Sequence, residues 1–231
     1  MKKTIFLMLL AIIAGTLSAQ EPVSKNPSIV DFVSMMVSEP EDELMGALND
    51  MWERYLAHKP QEGQNNLVVD KKNGFVRFED NFPESESQSI TEICYWNCDD
   101  KRHKLVAFTN RLFQEGKPVE GQYTGTSFVL YDKEEQVFTP IANDEVGADE
   151  SLFVPYTCYG FDGDDYFVED KKGVRTIMTE EEYYQWIENR PIPVILLPQH
   201  GKDIQVKTYS GKKVIEERKL VWDGGKFQMG N

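Results

Sequence analysis

Apolar residues first recur at helical spacing near the start of the chain. Ile29, Val30, Val33, Met36 and Val37 follow Asn26-Pro27, which reads as a cap and a first-turn proline, and predict a first helix. Leu44, Leu48, Met51 and Tyr55 fall at i, i+4, i+7 and i+11 and predict a second over 39–58. Ser38 and Glu41 form a capping box before it, acids fill its first turn, and Pro60 ends it. Trp52 flanks the apolar face and is expected in the core.

From Asn65 the texture changes to short β-rich runs parted by charged turns. Leu67–Val69 and Phe75–Phe78 flank a segment ending in Asn73-Gly74, a strong hairpin signal. Ile90–Cys98 pairs in the same way with Lys104–Phe113, Gln122–Tyr131 with Gln136–Ile141, and Tyr166–Val168 with Val174–Met178. Turns every 10–20 residues or so are the rhythm of an antiparallel sheet, not of βαβ units. Thr179 and Glu182 frame a further helix near 179–189, with Tyr183, Trp186, Ile187 and Arg190 along one side and Pro191 as its stop. Strands return at Val194–Leu197, Ile204–Tyr209, Val214–Trp222 and Lys226–Met229. The expected fold is α+β: antiparallel β-sheets of hairpins covered by the two N-terminal helices. Residues 20–231 read as one domain, with a possible sub-boundary in the acidic stretch 143–150.

The extreme N-terminus changes the setting. Lys2-Lys3, the apolar run Ile5–Ala14 and the small residues Ser18-Ala19 follow the order of an export signal, so residues 1–19 are expected to be a signal peptide. The run is too short to span a bilayer, and no second long apolar segment follows. Without Lys2 and Lys3 the remainder carries 23 basic against 39 acidic residues, a net charge of −16. Such a polyanion repels nucleic acid, and it is compatible with basic peptides, cations and neutral glycans. The three cysteines are an odd number for an oxidising compartment. Cys94 and Cys98 in one strand would lie about 13 Å apart, too far to bridge. Any disulfide would therefore join one of them to Cys158; the alternative is three small buried apolar side chains.

Three turn segments carry a resemblance: Leu196-Leu197-Pro198-Gln199-His200-Gly201-Lys202-Asp203-Ile204, Leu220-Val221-Trp222-Asp223-Gly224-Gly225-Lys226-Phe227, and Val69-Asp70-Lys71-Lys72-Asn73-Gly74-Phe75. Over about a third of the chain they resemble uncharacterised secreted proteins of Gram-negative gut and oral bacteria. The resemblance implies an exported protein, with no known activity and no catalytic residue to carry over.

The chemistry is sparse. The histidines are His58, at a helix end, and His103 and His200, in turns. HExxH, GxSxG, P-loop and GxGxxG patterns do not occur, and Ser127 lacks nucleophile-elbow spacing, so no catalytic residue is assigned. In Tyr159–Tyr166, Asp162, Asp164 and Asp165 sit on a glycine-bearing turn whose oxygens suit calcium, although an EF-hand frame would put Gly173 at position twelve. A solvated hairpin turn favours the same residues. Tyr156, Tyr159, Phe161 and Tyr166 crowd this turn and suggest a ligand-binding face on which sugar rings would stack. The resulting expectation is an exported, non-enzymatic binding protein of the periplasm, outer surface or medium, taking a glycan or a protein. A small secreted hydrolase acting on peptides or glycans is the alternative.

Overall fold

A computed structural model describes residues 26–37, 43–121, 123–163 and 165–230. The export signal and the Ser38–Glu41 capping box lie outside the described residues. Helices α1 (Ile29–Val37) and α2 (Glu43–Leu56) lead into strands β1 (Asn66–Asp70), β2 (Phe75–Phe82), β3 (Ser87–Asn97), β4 (His103–Gln114), β5 (Lys117–Val119), β6 (Gly125–Asp132) and β7 (Val137–Ile141). Then come β8 (Tyr156–Asp162), β9 (Asp165–Asp170), β10 (Arg175–Met178), helix α3 (Glu180–Asn189), β11 (Ile192–Leu196), β12 (Ile204–Ser210), β13 (Lys213–Trp222) and β14 (Phe227–Met229). The strands form three antiparallel sheets. The first is ordered β1-β2-β3-β4-β6-β7, with β5 paired to β4; the second is β10-β9-β8; the third is β11-β12-β13-β14.

Helix α1 starts one step later than Asn26-Pro27 implies. Ser28 Oγ accepts from the Asp31 amide, and the Asp31 carboxylate accepts from the Ser28 amide, so Ser28 holds the first turn. Phe32 and Val33 of α1 and Leu48, Met51 and Trp52 of α2 pack on Val76, Phe78, Ile93, Val106, Phe108, Val129 and Tyr131 of the first sheet. The opposite face of that sheet presents Phe75, Cys94, Trp96, Leu105, Ala107 and Phe128 to Ile195, Ile204, Val206, Leu220, Trp222 and Phe227 of the third. A second core therefore lies between two sheets.

This corrects the expected α+β fold with helix-covered sheets. Among the described residues the chain is mostly β, built of three open sheets, and α1 and α2 lie on one face of one of them. The physical reason is area. Two short helices back only one side of the largest sheet, and its other apolar side is closed by the four C-terminal strands. The second sheet has no contribution from α1 or α2 in either core. At the possible sub-boundary, residues 143–150, Asp144 and Glu145 are exposed but Val146 and Ala148 are buried, and the Phe227 amide donates to the Val146 carbonyl. Gly147 has φ +72, and a Cβ there would land on the Phe227 carbonyl.

Lys104 is the most unusual residue of the first core. It is 2% exposed, donates to the Pro27 carbonyl at 2.6 Å and lies 4.2 Å above the Tyr95 ring. Burial lowers its pKa to about 8, with Lys133 adding and Asp31 opposing. Between pH 8 and 10 the unfolded chain then binds the proton more strongly than the native one, so stability rises with pH across that window. Above pH 10 the half-buried Tyr95 and the buried Tyr131, whose pKa values burial raises, reverse the trend. We expect urea unfolding at pH 8 and pH 10 to show this gain in the native protein and a flatter profile in Lys104→Met. Equal slopes would mean Lys104 stays charged throughout.

Candidate functional site

The second sheet and α3 form one unit. Thr179 Oγ1 accepts from the Glu182 amide at 3.3 Å and the Glu182 carboxylate accepts from the Thr179 amide at 2.8 Å, which is the capping box the sequence shows. Bonding to Thr179 holds the Glu182 carboxyl below its usual pKa. The helix lays Tyr183 and Trp186 against the sheet, and there the four aromatics singled out from the sequence divide into two groups.

Tyr156 and Tyr159 turn inward. Simple alternation sets them on opposite faces, but the register shifts between Tyr156 and Cys158 and brings the two rings to 5.5 Å. Trp186 meets each of them edge-on at 5.2 Å. Arg190 sits 5.1 Å from the Tyr159 ring and pairs with Glu120 at 2.7 Å, and Glu120 also accepts from the Tyr159 hydroxyl at 2.9 Å. The Tyr156 hydroxyl donates to the Pro191 carbonyl. Burial, then the Glu120 charge, pushes the Tyr159 pKa up to about 12. These rings are occupied in packing and hold their own cation.

Phe161 and Tyr166 stand on the same face as Tyr159, nearer the hairpin turn, where Tyr166 is half-buried against α3 and Phe161 is exposed. They are register partners across the β8–β9 hairpin, and Tyr166 stands 5.0 Å from Tyr183 and 6.1 Å from Tyr184. Phe161 is 77% exposed and Tyr184 55%. Glu180 lies beside Tyr166, the carboxylates of Asp165 and Glu181 are exposed on the adjoining segments, and Asp162 is exposed but paired with Arg175. Partial burial, and then Glu180, raises the Tyr166 pKa. On the reverse face of the same sheet Arg175 stacks 4.0 Å from the Phe167 ring and pairs with Asp162 at 3.1 Å and Glu169 at 3.8 Å.

Of the three calcium candidates, Asp162 and Asp165 face each other as register partners, and Asp164 lies outside the described residues. Calcium here would have to take Asp162 away from Arg175. Among the described residues no group of three or more His, Cys, Asp or Glu side chains is placed to hold a metal ion. The cysteines are free thiols: Cys94 and Cys98 are buried in the second core and Cys158 is exposed on the second sheet. Burial raises the pKa of both Cys94 and Cys98, the opposite of what an activated nucleophile needs. His103 is held between Asp100 at 2.6 Å and Asp132 at 3.5 Å, His200 meets Asn73, and Ser127 is buried on β6.

Sequence reasoning missed Glu120 and did not join α3 to the aromatic turn. The signal for the second was present, because Tyr183, Trp186 and Arg190 already shared one side of the helix. Glu120 follows a three-residue strand and carries no local pattern that would mark it.

No helix among the described residues is long and apolar enough to cross a membrane. No protein-family model, curated protein or solved structure matches the chain.

Proposed function

We propose that this is an exported, non-enzymatic interaction protein whose outward tip, formed by Phe161, Tyr166 and Tyr184 with the neighbouring carboxylates, receives a basic segment of a protein partner. Export rests on the N-terminal pattern of residues 1–19. The observation that carries the binding reading is Phe161, a phenyl ring left 77% exposed on an acid-rich hairpin whose Tyr166 packs near the half-exposed Tyr184. Apolar rings inside a carboxylate rim suit a guanidinium or ammonium, which gains both ring-face attraction and charge pairing. The unit already uses this chemistry twice within itself, with Arg190 on Tyr159 and Glu120, and with Arg175 on Phe167, Asp162 and Glu169. Residues 156–190 carry nine acids against four basic residues, which steers a basic partner toward the tip.

The mature protein should bind Lys/Arg-rich peptides on an array more tightly than acidic or neutral ones. Phe161→Ser with Tyr184→Ser should weaken that binding about tenfold, the scale of a lost ring anchor. Raising salt from 50 to 500 mM should weaken it further, because the rim charges are exposed. Basic peptides that bind the double variant as well as the native protein would overturn the reading.

A further inference from the structure

A separate groove lies at one end of the first sheet, where β2 and β4 end and β3 begins. Its volume is about 370 Å³, and its lining includes Gln64, Asn81, Phe82, Gln88, Ile90 and Phe113. We propose that this groove binds a neutral glycan, of the size of one or two sugar rings, independently of the aromatic tip.

The strand register builds it. Asn81, Gln88 and Phe113 are successive partners across β2, β3 and β4, so two amides and a phenyl ring form a row on one face. The Gln88 amide donates to Asn81 Oδ1 at 2.9 Å, and Asn81 Nδ2 donates to the Gln64 carbonyl at 2.8 Å. The Asn81 main-chain amide donates to Asn65 Oδ1 at 3.1 Å. This chain fixes which way each primary amide points. With one hydrogen of Gln88, a lining residue, committed to Asn81, the second hydrogen and the carbonyl oxygen remain for a ligand. Phe113 is steadied by an edge-on contact with Tyr209 at 6.3 Å. Phe82, 45% exposed, stands at the rim.

The rim is also held in place. Glu86 (φ +48) and Glu115 (φ +49) both adopt left-handed backbone, and the Glu115 amide donates to the Glu86 carbonyl at 2.8 Å. The β2–β3 and β4–β5 turns are thereby joined, and two non-glycine residues are kept in a conformation that costs free energy in isolation.

A sugar presents a ring of hydroxyls around an apolar face. Oriented amides that both donate and accept, next to phenyl rings, match that surface. Two properties of the groove narrow the choice. Arginine and lysine are absent from its lining, and the single charged lining residue is the carboxylate of Glu86, so a phosphorylated, sulfated or uronic-acid ligand would meet repulsion from the lining and from the net charge of the whole chain. The volume lies at the small end of the range for ligand cavities, roughly 300–1,000 Å³. That fits one or two rings in the groove, with the rest of a longer chain outside.

The test is calorimetric titration of the mature chain with neutral gluco-, xylo- and N-acetylglucosamine oligosaccharides, and with oligogalacturonate as the anionic comparison. At least one neutral series should bind. Phe82→Ala and Gln88→Ala should each weaken it about tenfold while thermal melting shows the variants folded, as their exposed or half-exposed positions allow. Phe161→Ser should leave glycan affinity unchanged, and Phe82→Ala should leave peptide binding at the tip unchanged, so failure of either site is read separately. The proposal is overturned by a native protein that binds none of the neutral series, by affinity that survives both groove variants, or by oligogalacturonate binding as tightly as the neutral sugars. It is also overturned if the groove variants abolish basic-peptide binding instead.

Discussion

Glu92→Ala should lower the free energy of unfolding by about 3–5 kcal/mol, the scale for removing one partner of a buried ion pair. Glu92 and Arg111 pair at 2.8 Å between the first and third sheets, with side chains 4% and 6% exposed. Glu92 also accepts from the Leu197 amide at 2.9 Å, and Arg111 donates to the Ile195 carbonyl at 3.1 Å, so the pair ties the end of β11 to β3 and β4. Burial alone already lowers the Arg111 pKa, with Glu92 opposing that shift, and Arg111 Nε has no hydrogen-bond partner. Without Glu92 the guanidinium is left buried beside Arg77, and the Leu197 amide loses its acceptor. Urea denaturation measures the loss. Joint replacement, Glu92→Met with Arg111→Met, should recover much of it, since neither charge then needs a partner. A single variant within 1 kcal/mol of the native protein would mean that water reaches the pair.

Trp52→Ala should cost a similar amount, about 3–5 kcal/mol, because it removes the largest fully buried side chain of the first core. The indole of Trp52 stacks on Tyr55 at 4.9 Å and reaches Phe78 of β2 at 6.2 Å. Its Nε1 donates to Ser34 Oγ of α1 at 2.9 Å. One residue thus joins α1, α2 and the first sheet. Trp52→Phe should lose less, keeping part of the ring contact and giving up the bond to Ser34. Denaturant midpoints measure this; equal midpoints for the two variants would show that the ring area is immaterial.

Much of the local structure was legible. Asn73-Gly74 marked the β1–β2 turn because that pair favours the positive φ a tight hairpin needs, and Gly74 has φ +68. Thr179 and Glu182 announced α3 because a capping box satisfies orphan amides within four residues. The cover of the first sheet was misread even though β4 carried a sign of it. Leu105, Val106, Ala107 and Phe108 are consecutive apolar residues, all 3% exposed or less. A strand with one solvated face alternates; a continuous run reports burial on both.

The candidate sites were less legible because each joins distant segments. The sequence by itself determined the acidic charge, the hairpin turns, the three helices and the crowding of aromatics around residues 156–166. These depend on composition and on neighbours a few residues apart. Tertiary structure decided that the C-terminal strands, not only the helices, close the large sheet. It also decided that Tyr156 joins Tyr159 on the face that packs on Trp186, while Phe161, farther along that face at the hairpin end, stays exposed. A shift of register by one residue reverses the face on which a strand's side chains stand, and pairing between strands, together with the docking of α3, sets that register. Asn81, Gln88 and Phe113 form a row for the same reason: their alignment exists only once three strands have paired.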